Sequence, residues 1–381
     1  MREEMTAQVL AALPRPHKAL ARVEAWRHGT RLDTALPQGL QVLPGSSVKI
    51  DATQKVRRQA TIQLPNSDVL WNMLSVPGTE LHPYRGMDLF GIGPVWVPLG
   101  RMEIDQPSIA YSPGRNLVVS AGDYRTRVEA AEFLTPAITQ FGTLIASQIV
   151  AFLQDVLPGV TILDRVTSTY YIGAKIYDTD RAGAIDEMAA AIGAEVVFDG
   201  DGNAVVRPVP QLAATTSWTV DAGQGVMLDA SRQRSVSTAK NVVVVTSSAT
   251  NGAPLFDPVY VWDNNPDSPT YAGPDPVNNP AAAGPFGIRV ERLSSTAITD
   301  PQQALQAGQA RLAQVAGRPT SLTLQSVVNP GLEDGDTIAV QLPPDPFSGA
   351  RKTEAHIVES VTVPLSLTDP QQITTRARSV A

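Results

Sequence analysis

The sequence predicts a β-rich α+β protein of several domains, with two antiparallel β domains, each a barrel or a sandwich, flanking a small α/β module. Three observations lead there. Apolar and polar residues alternate with period two, the mark of strands buried on one face, through residues 1–134 and 213–381. Helical spacing of apolar residues is concentrated between 135 and 212. A load of 31 Pro and 28 Gly in 381 residues cuts the chain into short elements joined by many turns, and such a length exceeds the roughly 100–200 residues of one ordinary domain.

In chain order, residues 6–13 predict a short helix that Pro14-Arg15-Pro16 ends by removing backbone donors. Strand patterns follow at 22–26, 48–51 and 58–64, where Pro65-Asn66 closes the run. A second cluster runs from Leu81 through 87–90 and 95–99 to 101–105, then 117–120, with Gly91, Gly93, Pro94, Pro113 and Gly114 at its turns. In the module, 143–157 places Leu144, Ile145, Ile149, Phe152, Leu153 and Val156 on one stripe before Pro158-Gly159. A second helix is capped by Asp180 or Thr179, repeats Ile185, Met188, Ala189 and Ile192, and stops at Gly193. Strands at 194–198 and 204–209 then flank the turn Asp199-Gly200-Asp201-Gly202-Asn203. Four consecutive valines within 241–246 predict a strand buried on both faces. The stretch 263–285 is a long polar loop, of the kind that is functional or disordered. A helix at 301–316 starts on Asp300 and Pro301 and stops at Gly317 and Pro319, and alternation resumes at 321–328, 337–342 and 355–363.

Composition narrows the function. The chain has no cysteine, hence no disulfide or thiolate chemistry, which suits assembly in a reducing cytoplasm. Residues 1–18 lack the unbroken apolar run of a signal peptide, and no stretch nears the roughly 20 apolar residues of a membrane span. A formal charge of −7 argues against gripping nucleic acid. His17, His28, His82 and His356 are scattered without metal-ligand spacing, and phosphate loops, dinucleotide fingerprints and nucleophile elbows have no match. No catalytic residue, metal or cofactor is therefore expected. Residues 199–203 begin like a calcium loop, but Ala204 and Pro210 stand where glycine and glutamate are needed, so a hairpin turn is the reading. Asp263-Asn264-Asn265 with Asp267 is a second oxygen-rich patch, of a kind that usually bonds its own backbone. The basic run Lys55-Val56-Arg57-Arg58 reads as the solvated face of a strand. The tryptophans read as core or interface anchors. Tyr260, Trp262, Asp263, Tyr271 and Phe286, in and beside the long loop, form the candidate contact site for a subunit or a receptor.

The order of several segments resembles a known family. Gly45-Ser46-Ser47-Val48-Lys49-Ile50-Asp51, Tyr84-Arg85-Gly86-Met87-Asp88 and Trp96-Val97-Pro98-Leu99-Gly100 resemble the first barrel of minor tail proteins from phages of actinobacteria. Ile192-Gly193-Ala194-Glu195-Val196-Val197-Phe198-Asp199, Gly284-Pro285-Phe286-Gly287 and Leu332-Glu333-Asp334-Gly335-Asp336 continue the likeness across nearly the whole chain. That family is similar to the baseplate hub of contractile-tailed phages and to the tail-associated hub of siphophages. The resemblance implies two tube-type β-barrels per chain, at 1–134 and 213–381, an outer module at 135–212, and a homotrimer. It further implies a structural role without enzymatic activity, the alternative reading being a receptor- or carbohydrate-binding tail-tip protein. The implied partners are a tail tube or distal tail protein above, tail-tip or fibre proteins below, and a tape measure protein, with DNA passing through unbound.

Overall fold

Strand Ser47–Asp51 is paired on both edges, and this decides the architecture. On one side it meets Arg58–Leu64, on the other Thr353–Pro364, with Val48 opposite Val363 and Ile50 opposite Val361. The computed structural model, which describes residues 1–34, 36, 39–109, 116–223, 225–234, 239–247, 254–316 and 320–377, thereby joins strands from both ends of the chain into one 14-stranded sheet. Alternation is visible in burial: along Arg58–Leu64 the even positions from Arg58 to Leu64 point inward. One apolar core runs under the join, holding Ile50, Ile62 and Val119 together with Ile338, Val361 and Ile373.

From Ser47–Asp51 the N-terminal strands continue in the order Arg58–Leu64, Leu117–Asp123, Met102–Ile109, Thr79–Leu89, Lys18–Arg27 and Thr30–Arg31, and Gly93–Pro98 lies on Thr79–Leu89. Two short helices among them, Asp68–Leu74 and Arg125–Ala130, carry no strong sequence signal. The C-terminal strands run Trp218–Asp221, Thr337–Gln341, Thr353–Pro364, Gln371–Ala377, Thr320–Ser326 and Met227–Arg234. Pairing is antiparallel except where Trp218–Asp221 lies parallel to Thr337–Gln341. Among the described residues neither run closes into a barrel by a strand ladder. Leu40 donates to the Val23 carbonyl and Leu43 to that of Gln63, both from the segment leading into Ser47–Asp51. The C-terminal run begins and ends on chain neighbours, Trp218–Asp221 and Met227–Arg234.

The longer helices stand apart from this wall, whereas Ala7–Ala12 and Asp68–Leu74 pack on its core. Helix Ile145–Val156 buries Ile145, Ile149, Phe152 and Leu153 against Ile185 and Met188 of helix Arg181–Ala191. Asp180, not Thr179, is the cap, accepting from the Gly183 N–H at 2.7 Å, and Gly193 takes the left-handed conformation (φ +66°) that ends the helix. Both pack on a small sheet of Ile162–Asp164, Ala204–Pro208 and Ala194–Phe198.

The described strands of 213–381 divide between two sheets. Val242–Ser247, Val259–Trp262 and Val290–Ser295 form a separate three-stranded sheet. Val243 and Val245 meet helix Pro301–Ala316, while Val242 and Val244 meet Ala272 of the long loop, Trp262 of the adjoining strand and Ile288 just past the loop. The doubly buried valine strand is therefore as expected, and the loop is its outer cover. Gly308 allows the helix to approach: a Cβ there would lie 2.7 Å from a Val261 methyl. The turn expected at Pro113-Gly114 and the helix stop at Gly317 and Pro319 lie outside the described residues. Among the described residues, no helix is long and apolar enough to cross a membrane.

Candidate functional site

The basic run is not a solvated face. Lys55 is exposed, but Arg58 is only 2% exposed. Its Nε donates to the Phe198 carbonyl at 2.6 Å, one Nη to the Leu99 carbonyl at 3.2 Å, and the other to Glu333. Arg57 reaches Glu195 at 2.8 Å and Asp334 at 2.5 Å, and Arg207 reaches the same two carboxylates at 2.9 and 2.7 Å. Two guanidiniums and two carboxylates thus close a ring. Arg57 and Arg58 come from the N-terminal strands, Glu195 and Arg207 from the α/β module, and Glu333 and Asp334 from the turn before Thr337–Gln341. The ring clamps three parts of the chain at one point.

Electrostatics show how firmly. Burial pushes the Asp334 carboxyl up, yet the Arg207 and Arg57 guanidiniums outweigh it and hold it at about 2. Burial raises Glu333, with Arg58 opposing. Asp123 lies just behind, accepting from the N–H groups of Arg58 and Arg125 at 3.0 Å each; burial pushes it up to about 6 despite them. A cleft of about 610 Å³ opens over the ring, lined by Arg2, Arg165, Asp199, Asp201 and others. Arg2 bonds Asp201 at 2.6 Å and Glu4 at 3.2 Å across it, so the cleft is a charged seam between chain segments. Sequence reasoning missed this site because the carboxylates stand 138 and 277 residues from Arg57.

A second feature is apolar. Residues 133–145 run antiparallel along 170–179, fixed by Phe133 N–H to Thr179, Thr139 N–H to Lys175 and Ile172 N–H to Thr143. Phe133, Ile145, Ile172 and Tyr177 turn inward onto the module core. Leu134, Ile138, Phe141, Tyr171 and Ile176 do not, being 56 to 102% exposed, and Ile138 sits directly opposite Ile176. The ribbon is thus apolar on both faces and covered by its own chain on one.

The five residues read as a contact site are partly separated. Tyr260 (40% exposed) and Trp262 alternate along the terminal strand of the valine sheet. Asp263 is buried and works inward, accepting from the Thr270 hydroxyl at 2.6 Å, from Ser268, and from the Asn265 N–H. Tyr271 lies in the loop it closes, and the Phe286 ring lies 4.5 Å from the Arg289 guanidinium. The Asp199 carboxylate likewise accepts from the N–H groups of Asp201 and Asn203 at 2.9 Å each, the hairpin turn that was expected. Asp199 and Asp263 thus spend their lone pairs on their own loops, while Asp201 turns to Arg2.

No family model matches this sequence, and no curated protein is significantly similar to it. Solved structures are similar in fold. A tail protein from Neisseria meningitidis MC58 superposes with a TM-score of 0.62 at 11% identity, covering 94% of this chain and 97% of its own. The 43 kDa tail protein of prophage MuSo2 from Shewanella oneidensis gives 0.55 at 12% identity, covering 93% and 98%. Prophage tail protein gp18 from Listeria monocytogenes EGD-e gives 0.55 at 11%, covering 94% and 95%. At such identities the likeness establishes a shared fold over nearly the whole chain.

Proposed function

We propose that this chain is a structural, non-enzymatic hub of a phage tail, and that three copies form a pseudo-sixfold ring between a hexameric tube and a threefold tip. The observation that carries the reading is the pairing of Ser47–Asp51 with Thr353–Pro364, which joins the N-terminal and C-terminal strand runs into one wall. Closed rings need self-consistent interfaces, and a protomer holding two similar units side by side lets a trimer match a hexamer. The shared fold with tail proteins supports it. On this reading the two β units are tube-type barrels, and the α/β module and the valine sheet lie outside the ring. The chain resides in the virion at the tail tip after assembly in the host cytoplasm. The resemblance to tail proteins of actinobacterial phages is part of the same proposal.

The exposed ribbon supplies a contact surface for a neighbouring subunit, as do Tyr260, Trp262, Tyr271 and Phe286 around the loop that Asp263 closes. Neighbours are the tail tube or distal tail protein above, tip or fibre proteins below, and the tape measure protein. The chain's acidic balance of −7 suits a conduit through which DNA slides without binding. Native mass spectrometry of the purified chain, alone and with its tube protein, tests the stoichiometry. A species of three chains is expected in at least the mixture; a stable dimer or hexamer there would overturn the reading.

A further inference from the structure

The outer face of the 14-stranded sheet changes character along its length. One row of cross-strand neighbours starts with Trp26, Glu80 and Glu103, whose two carboxylates meet Arg127 of helix Arg125–Ala130 at 3.9 and 3.2 Å. Beyond Gly122 the same row reads Gln59, Lys49, Thr362, Gln372 and Gln325, crossing the join between Ser47–Asp51 and Thr353–Pro364, and ends at Asp229 on the terminal strand. The row on one side of it runs Asp51, Ser360, Thr374, Thr323 and Ser231. On its other side Ser47 is followed by Thr61, Ser120 and Gln106. Behind these side chains, at the alternate positions, stand the core residues Ile50, Ile62, Val361 and Ile373. Lys49 and Asp51 lie 2.8 Å apart and cancel, and Arg376, one row further out, donates to the Pro210 carbonyl at 3.4 Å. From Gln59 to Gln325 the three rows thus form a field of hydroxyls and amides across the join, with no aromatic ring and no unbalanced charge, in a chain where 18% of residues are charged.

We propose that this neutral face lines the bore of the ring and is the surface past which double-stranded DNA slides. The inference rests on the hub reading and adds to it which face turns inward. Phosphates are gripped by Lys and Arg that release counterions, and bases by exposed rings, and the three rows offer neither. Carboxylates would repel the duplex and oppose its entry. Hydroxyls and amides instead exchange hydrogen bonds with a water layer at little net cost, so nothing holds or rejects the passing strand. The charged end of the same face is covered by helix Arg125–Ala130, and the neutral end is centred on the join that the hub reading places in the wall. Packing against a neighbouring protein is the competing use. Interfaces gather aromatic and aliphatic side chains at their centre, and the centre here is Thr362 and Gln372.

The chain has no cysteine, so single cysteines report position cleanly. Thr362→Cys and, on the exposed side of helix Ile145–Val156, Ser147→Cys are built into assembled tails, which are emptied of DNA and offered either a small maleimide or one carrying a polymer too bulky for the bore. Expected is labelling of Ser147→Cys by both reagents and of Thr362→Cys by the small one alone, while the free chain reacts with both at either position. In filled tails, Thr362→Lys combined with Thr374→Lys should slow DNA release at least roughly tenfold, the deficit shrinking as salt rises. Thr362→Cys reached in tails by both reagents, or by neither, would overturn the assignment, as would parental release from lysine tails; if those tails do not assemble, the cysteine result decides alone. Three chains per ring with this face turned elsewhere sinks this inference and spares the hub, whereas a count other than three sinks both.

Discussion

Two parts of this molecule are apolar on both faces, and they meet different fates. The valine strand Val242–Ser247 is covered by helix Pro301–Ala316 on one side and by the long loop on the other, leaving its four valines at most 5% exposed. The ribbon of 133–145 and 170–179 is covered once, and five large side chains face outward. On the proposed reading the open surface is where a neighbouring subunit packs. The two parts also differ in anchorage: the valine sheet is held by apolar packing, the ribbon's module by the charged ring of Arg57, Arg207, Glu195 and Asp334 with Arg58 beside it.

The comparison breaks most visibly in the valine strand. Val243→Asp puts an unpartnered carboxylate in a dry core and should cost about 4 kcal/mol or more, read as loss of cooperative unfolding in urea. Arg58→Ala strands Glu333 and two carbonyls at the module's anchor. A loss of about 3–5 kcal/mol is expected, with amide exchange rising across 135–212 before it rises in the valine sheet.

Acid sharpens the contrast in anchorage. Asp334 is depressed from 3.8 to about 2, so its contribution is present above the unfolded value and lost as pH falls from about 3.8 to about 2, an effect of about 2 kcal/mol. Asp123 has the opposite sign. Raised to about 6, it binds a proton that the unfolded chain does not, and adds stability between about 6 and 3.8. The seam should therefore hold to about pH 4 and open below it, and Asp334→Asn should abolish the low-pH step in denaturant titrations followed by pH. The smallest effect is expected at the ribbon: Ile138→Asp should change the isolated chain's stability by no more than about 0.5 kcal/mol, while lowering incorporation into tails. A large loss of stability in the free chain would mean that the ribbon is ordinary core.

What was legible in the sequence follows from range. Helix limits at Asp180 and Gly193, the 199–203 turn and the doubly buried valines are local signals, and all appear in the structure. Arg58 misled because its partners are supplied by the chain 140 and 275 residues onward, and a strand's charged neighbours look solvated until those arrive. The separate valine sheet was invisible for a similar reason. Its third strand, Val290–Ser295, returns parallel to the first across the long loop, and alternation does not say which sheet a strand joins.

The central claim concerns the wall in which Ser47–Asp51 and Thr353–Pro364 are neighbours, and cryo-electron microscopy of an intact tail end tests it directly. The account predicts three copies around the pore, six β lobes in the ring, and the 133–145 ribbon under another subunit. A density that seats a single lobe of each copy beside the pore, or counts other than three copies, would contradict it.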